Sequence, residues 1–276
     1  MKFFVSADME GIAAAVSWKE YESDYPRLRR MFTNEVKAVC DGILKSGQRV
    51  DRILVCDAHG SGQNLLIEEL PESVLLSRGN GRPLMMMDGL DSSFDLVFFV
   101  GYHSGAGTAR SQMDHTYSSS SFYRVLVNGQ ELDEAMINAA LAGYFRVPVG
   151  FLSGDDRLIA RARRVFPGIE TVTTKYARSR FAAAVRHPDA VQKELTARAA
   201  RAAARVSEFR PFHLGKGTLR LELQTIEAAR ADLIELIPGA RRIDGRTLSF
   251  RSRNMLEAYR TIRLAAILAA SAGAYL

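Results

Sequence analysis

Cysteine is almost missing from this 276-residue chain, which has only Cys40 and Cys56. Cys40 falls on the apolar face of an expected helix, and Cys56 ends the apolar run Ile53-Leu54-Val55-Cys56, so both read as small core residues. A disulfide framework and a thiolate metal site are therefore excluded. Long hydrophobic runs are absent as well. Nothing approaches a membrane span, and the N-terminus lacks a basic-then-apolar leader with a small-residue cleavage site. The expectation is a cytoplasmic protein with no membrane partner. There is no repeat and no low-complexity tract. Neither a P-loop nor a G-x-G-x-x-G turn occurs in the right context, and Gly79-Asn80-Gly81 lacks a following helix signature. The net charge is +6, but the arginines are scattered over helical segments such as 157–164 without interleaved aromatics. That pattern reads as a solvated helix face, and no nucleic-acid partner is expected.

What is present is ordinary globular composition, 47% hydrophobic and 25% charged. Short apolar runs alternate with amphipathic segments, which predicts an α/β fold with a mostly parallel central sheet flanked by helices. Strands are expected at 2–7, 52–57, 74–77, 94–100, 123–127, 147–152 and 170–175. Helices are expected from Pro26 to Gly47, from Asp133 to Phe145, and after a cap at Asp156. An alanine- and arginine-rich helix is read over 178–206, interrupted at His187-Pro188. Composition shifts near Phe209-Arg210-Pro211, dividing the chain into 1–208, an α/β metal-binding catalytic domain, and 209–276, a smaller α+β domain. In the second part, strands are expected at 218–223 and 242–250, with helices at 228–237 and 254–270.

In parallel sheets, ligands gather beyond the carboxyl ends of the strands. The residues there are Asp8 and Glu10, then Asp57 and His59, then His103, then Asp155 and Asp156. Asp8 and Glu10 are two apart, so an extended backbone sends both to one side, where they repel unless a cation neutralises them. A bland account competes, in which Asp8 caps a turn and Glu10 is solvated. Core packing, however, does not require metal-type side chains at three strand exits. Of five histidines, two hold equivalent exit positions and a third, His115, lies in glycine-flanked coil. His187 and His213, beside prolines, read as surface. Imidazole mixed with carboxylate suits Zn²⁺, or Mn²⁺ or Co²⁺, in a hydrolytic role.

At this point the motifs resemble a known family. Ser6-Ala7-Asp8-Met9-Glu10-Gly11-Ile12, Asp57-Ala58-His59, Gly101-Tyr102-His103, Asp114-His115-Thr116, Asn128-Gly129 followed by Glu134, Gly154-Asp155-Asp156-Arg157 and Met255-Leu256-Glu257-Ala258-Tyr259 occur in order along the whole chain. Together they resemble the D-aminopeptidase family of zinc peptidases, peptidase family M55. The resemblance implies two zinc ions per subunit bridged by Asp8. Glu10 and His59 would complete one ion's protein ligands, and His103 and Glu134 the other's, with His115 as a catalytic residue that is not a ligand. Spacing by itself leaves Glu131, Asp133 and Glu134 in competition. The resemblance also implies short peptide substrates with an N-terminal D-residue, D-alanine in type, and a ring-like homo-oligomer, decameric in form.

Other positions carry weaker signals. Asp57 either orients a ligand or caps a turn. Lys175 either meets a substrate carboxylate or is solvated. Met85-Met86-Met87 is either core or interface. Asp114 stands where a small or apolar residue is expected, and an adjacent acid would either raise the pKa of His115 or alter the substrate's charge preference. Thr33, Asn34 and Glu35 match the family without a derivable role. Rival functions are a metal-dependent amidase or L-peptide aminopeptidase on the same site, a phosphate- or nucleotide-binding module, and a protein in which metal is only structural.

Overall fold

A computed structural model describes residues 1–215 and 217–274. The chain begins with β1 (Lys2–Ala7), then α1 (Lys19–Ser23), α2 (Tyr25–Leu44), β2 (Arg52–Asp57), β3 (Val74–Ser77) and β4 (Leu96–Tyr102). It continues through β5 (Phe122–Val127), β6 (Gln130–Glu131), α3 (Glu134–Tyr144), β7 (Val149–Asp155), α4 (Asp156–Val165), β8 (Glu170–Ser179), β9 (Ala182–Val185) and α5 (Pro188–Ala204). The last elements are β10 (Leu219–Thr225), α6 (Ala228–Ile234), β11 (Arg241–Arg242), β12 (Thr247–Ser252) and α7 (Met255–Ser271).

Seven strands form the main sheet in the order β3-β2-β1-β4-β7-β8-β9, parallel throughout except for β9. The central strands are apolar on both faces because helices cover both, and Phe3, Phe4, Val5 and the run Leu96–Val100 are all fully buried. On one face lie α2 and α5. The i, i+4, i+8 stripe Leu28, Phe32, Val36 and then Cys40 turns α2 onto the sheet, each large side chain contributing ~1.5–3 kcal/mol by burial. The other face carries α3, α4 and α7 in a second core, together with a five-stranded antiparallel sheet ordered β11-β12-β10-β5-β6. That sheet draws β5 and β6 from the first 208 residues and β10, β11 and β12 from the remainder.

From β1 the strand order runs one way through β2 and β3 and the other way through β4, β7 and β8. The order therefore reverses between β1 and β4, and a crevice opens there at the carboxyl edge.

Three expectations need correction. Residues 178–187 are not helical: β8 runs to Ser179, turns at Arg180-Phe181, and pairs antiparallel with β9. Alanine and arginine are good helix formers, but intrinsic propensity is a small energy that tertiary context overrides, here through the hydrogen bonds offered by the edge of β8. The expected strand at 242–250 is a hairpin of β11 and β12, turned at Asp244-Gly245, where Asp244 accepts from the amides of Arg246 and Thr247. The cap of α4 is Asp155, which accepts from Arg157 and Leu158. Asp156 instead accepts from the Ala177 amide of β8.

Candidate metal centre

The first pole of the centre comes from the exit of β1. The Asp8 amide donates to Val100 O at 2.8 Å and the Gly11 amide to Gly101 O at 2.7 Å, so this turn is sewn to the end of β4. The two backbones pass too close for side chains. A Cβ on Gly11 would stand 1.9 Å from Tyr102 O, and one on Gly101, whose φ is +67°, would stand 2.2 Å from Asp8 O. Glycine at both positions is what allows the turn that carries Asp8 and Glu10 to lie against the strand end that carries His103.

His59 follows β2. Asp57 holds that turn by accepting from the Asn64 amide (2.6 Å), the Asn64 side chain (2.7 Å) and the Leu65 amide (2.9 Å), while Asn64 also donates to His59 O at 2.7 Å. Asp57 thus shapes the loop that presents His59. His103 leaves β4 with Nδ1 at 2.9 Å from Ser104 O, and His115 sets Nδ1 at 2.9 Å from Met113 O. A carbonyl can only accept, so each ring carries a proton on Nδ1 and turns Nε2 inward. Glu134 opens α3 beside its cap Asp133, which accepts from the Met136 amide and pairs with Arg161 at 2.9 Å. The Tyr117 amide donates to Glu134 at 2.6 Å.

All six expected side chains meet. Asp8 reaches both flanking histidines, with Oδ1 at 3.4 Å from His59 Nδ1 and Oδ2 at 3.4 Å from His103 Nε2. Glu10 is 2.9 Å from His59, and Glu134 is 3.4 Å from His103. His115 Nε2 lies 3.8 Å from both Glu10 and Glu134, and its ring stacks on His103 at 4.0 Å and 9°. Ligand atoms of Asp8, Glu10 and His103 fall within 4.8 Å of one another, as do those of His103, His115 and Glu134.

Burial, reinforced by Glu10, raises the Asp8 carboxyl to about 7. Burial also opposes charge on Glu10 and Glu134, but His59 and His103 respectively outweigh it, so both stay below the usual carboxylate range. His115 is lowered, chiefly by burial and then by neighbouring His103. Asp114 is not among the causes, because it is turned away into a 3.1 Å pair with Arg180 and accepts from the Gly107 amide. The expectation that it would raise the pKa of His115 fails for that reason.

Whether a metal fits can be judged from His103 Nε2, which is buried and has no hydrogen-bond partner among the described residues although it stands between two carboxylates. An uncompensated polar atom there is costly. A divalent cation would satisfy it and offset two of the three negative charges that the buried carboxylates can carry. The donors are oxygen and imidazole nitrogen with no thiolate, a set suited to zinc in an open, catalytic site.

The centre floors a cleft of about 700 Å³. Trp18 forms one wall, edge-on to His115 at 5.8 Å and to Phe181 at 5.4 Å. Arg263, Ala266, Ile267 and Ala270, one face of α7, line it as well. Met86 and Met87 are buried, and Met85, with φ +45°, lines the cleft.

Two buried residues near the centre were not assigned from sequence. Lys175 is fully buried and does not line the cleft, so neither solvation nor a substrate carboxylate accounts for it. Glu35 accepts from the Ala13 amide at 2.8 Å; burial raises it to about 7, against that hydrogen bond and the Lys175 ammonium, the charged group facing it. Its pKa in the folded state therefore exceeds the unfolded value, and the native protein holds the extra proton between pH 4.5 and about 7. Stability from this group falls as pH rises through that window, by about 3 kcal/mol in total. Melting of metal-free wild type and Glu35→Gln across pH 4.5–7.5 checks this: the wild type should lose ground steadily to the variant, and parallel curves would refute it.

The D-aminopeptidase model of peptidase family M55 matches residues 1–264. A D-aminopeptidase of Bacillus subtilis is 32% identical over 269 residues, 95% of each chain. Among solved structures, the Zn-dependent D-aminopeptidase DppA from Bacillus subtilis, described as a self-compartmentalizing protease, superposes with a TM-score of 0.93 at 30% identity over 98% of each chain.

Proposed function

This chain belongs to the D-aminopeptidase family of zinc peptidases and is a metallo-aminopeptidase; on that premise we propose that its centre takes two zinc ions and removes N-terminal D-residues, D-alanine in type, from short peptides. Asp8 would be shared by both ions, Glu10 and His59 would hold one, and His103 and Glu134 would hold the other. The observation that carries this reading is the partnerless His103 Nε2, buried between Asp8 and Glu134.

Bound there, zinc supplies Lewis-acid polarisation of the scissile carbonyl and acidifies water. The chain does the rest. The Met113 carbonyl keeps the His115 proton on Nδ1, so Nε2 is free to take a proton as water attacks and to return it to the departing amine. Buried carboxylates attract the substrate's α-ammonium, and Trp18 shields that end from solvent. Within the cleft Arg263 has no hydrogen-bond or ion-pair partner among the described residues and receives the peptide's carboxylate end. No described helix is long and apolar enough to cross a membrane. We place the protein in the cytoplasm as a ring-like decamer, a reading supported by the self-compartmentalizing character of the Bacillus subtilis structure.

The test is hydrolysis of D-Ala-D-Ala and L-Ala-L-Ala by the protein as purified, after chelation, and after zinc is restored. Cleavage of the D-peptide alone, lost on chelation and regained with zinc, is expected. Equal cleavage of the L-peptide would overturn the stereochemical assignment. Absence of both metal and activity would overturn the site.

A further inference from the structure

The segment from Asp8 to Trp18 carries two of the centre's carboxylates, yet contains no helix or strand. Beyond its stitching to β4, its backbone polar groups are met by side chains from distant elements. Lys175 of β8 donates through Nζ to Glu10 O and Ala15 O. Its neighbour Thr174 donates through Oγ1 to Gly11 O at 2.5 Å. Glu35 of α2 accepts from Ala13, and Gln112 donates to Val16 O. All four of these side chains are buried.

Within this set Lys175 makes the contact nearest the chemistry, at the carbonyl of Glu10 itself. We infer that Lys175 is a positioning residue for the metal centre, a two-point clip whose ammonium fixes the Glu10 and Ala15 carbonyls and so sets where the Glu10 carboxylate stands relative to His59 and His115. The inference rests on the proposed zinc site.

The physical case is geometric. The two carbonyls are five residues apart and converge on one point, so one atom must donate twice. An ammonium has three protons on a single nitrogen, whereas a hydroxyl has one. Burying a lysine is expensive unless its charge is answered, and here the carboxylates of Asp155 and Glu35 lie close by. With the clip removed, two buried carbonyls lose their donors. The turn then relaxes at Glu10, whose carboxylate must hold its place to within about 0.5 Å for productive geometry.

The experiment uses the full chain and inorganic zinc. Zinc affinity is read by competition with a chromophoric chelator, kcat and KM are measured separately on D-Ala-D-Ala, and the Co²⁺-substituted protein is followed by its visible spectrum. Lys175→Met keeps the length and removes the donors; it should weaken zinc binding ~10–100-fold, lower kcat by a similar factor with KM nearly unchanged, and alter the Co²⁺ spectrum. Thr174→Val loosens the same turn at Gly11 and should produce a smaller change of the same kind; it decides the matter if Lys175→Met does not fold. Arg230→Met is the control for general destabilisation, because Arg230 is also buried and donates to a carbonyl, Ala269 O at 2.6 Å, in the part of the molecule around the antiparallel sheet. It should melt lower with zinc affinity intact.

Wild-type zinc affinity and kcat in both turn variants would overturn the inference, as would weakened zinc binding in Arg230→Met. A wild type that binds zinc while the variants do not differ from it sinks the clip alone. A wild type that takes up no zinc sinks the reading of the site and the clip with it.

Discussion

Alanine at His115 should lower kcat on D-alanyl peptides by ~10²–10⁴-fold while the protein keeps its full complement of zinc. The ring is fixed on three sides, by Met113 O at Nδ1, by the parallel face of His103 at 4.0 Å, and by the edge of Trp18 at 5.8 Å. Its Nε2 is held 3.8 Å from each of two carboxylates, close enough to exchange protons with a reacting group between them. Burial lowers its pKa, which keeps the ring neutral near pH 7 and able to take up a proton. The measurement is paired: single-turnover kinetics beside metal analysis of the same sample. His115 lies within ligating distance of the cluster it makes with His103 and Glu134. Loss of a zinc equivalent in His115→Ala would therefore reassign it as a ligand.

The second large effect belongs to Asp8. Its two oxygens face His59 and His103, one from each pole, each at 3.4 Å. Asp8→Asn keeps the shape and removes the charge both poles share. Zinc uptake should fall at both, and activity should drop ~10³-fold or more, since several kcal/mol of charge stabilisation go with the metal. The metal-free variant should nevertheless melt higher than the metal-free wild type. Three carboxylates are buried together and repel, and a neutral amide in place of the Asp8 carboxylate relieves part of that repulsion. Calorimetry of the two metal-free proteins checks the second half, and a lower melting temperature for Asp8→Asn would contradict it.

The central sheet and most of the site could be read from residue order because they are local facts. Apolar runs end in Asp8, His59 and His103, and a parallel sheet gathers such ends at one edge. Glu134 required family resemblance, since an acid opening a helix looks the same whether it faces a metal or only the helix dipole. Lys175 and Glu35 were illegible for another reason. Their partners lie 165 and 22 positions away in the chain, at Glu10 O and Ala13 N, and no periodicity reports a lone carbonyl waiting for a donor. The 178–187 hairpin was missed because the edge of β8, not the alanines, decides its conformation. Asp114 misled because adjacency in sequence is not proximity of charge: Arg180, on that same hairpin, draws it away from His115.

The antiparallel sheet has a consequence for how the protein is made. Between His115 and Glu134 the chain leaves the main sheet, forms β5 and β6, and returns, so the strand beside the Glu134 helix is paired by β10, which is translated much later. All six site residues have emerged from the ribosome while β5 still lacks its neighbour β10. A chain ending after α5 thus contains all six site residues and the main sheet that gathers Asp8, Glu10, His59 and His103, but lacks the strand that completes the sheet beside Glu134. By the proposed zinc assignment, the Glu134 pole is the last to be completed, once a segment that supplies none of the six residues has paired with β5.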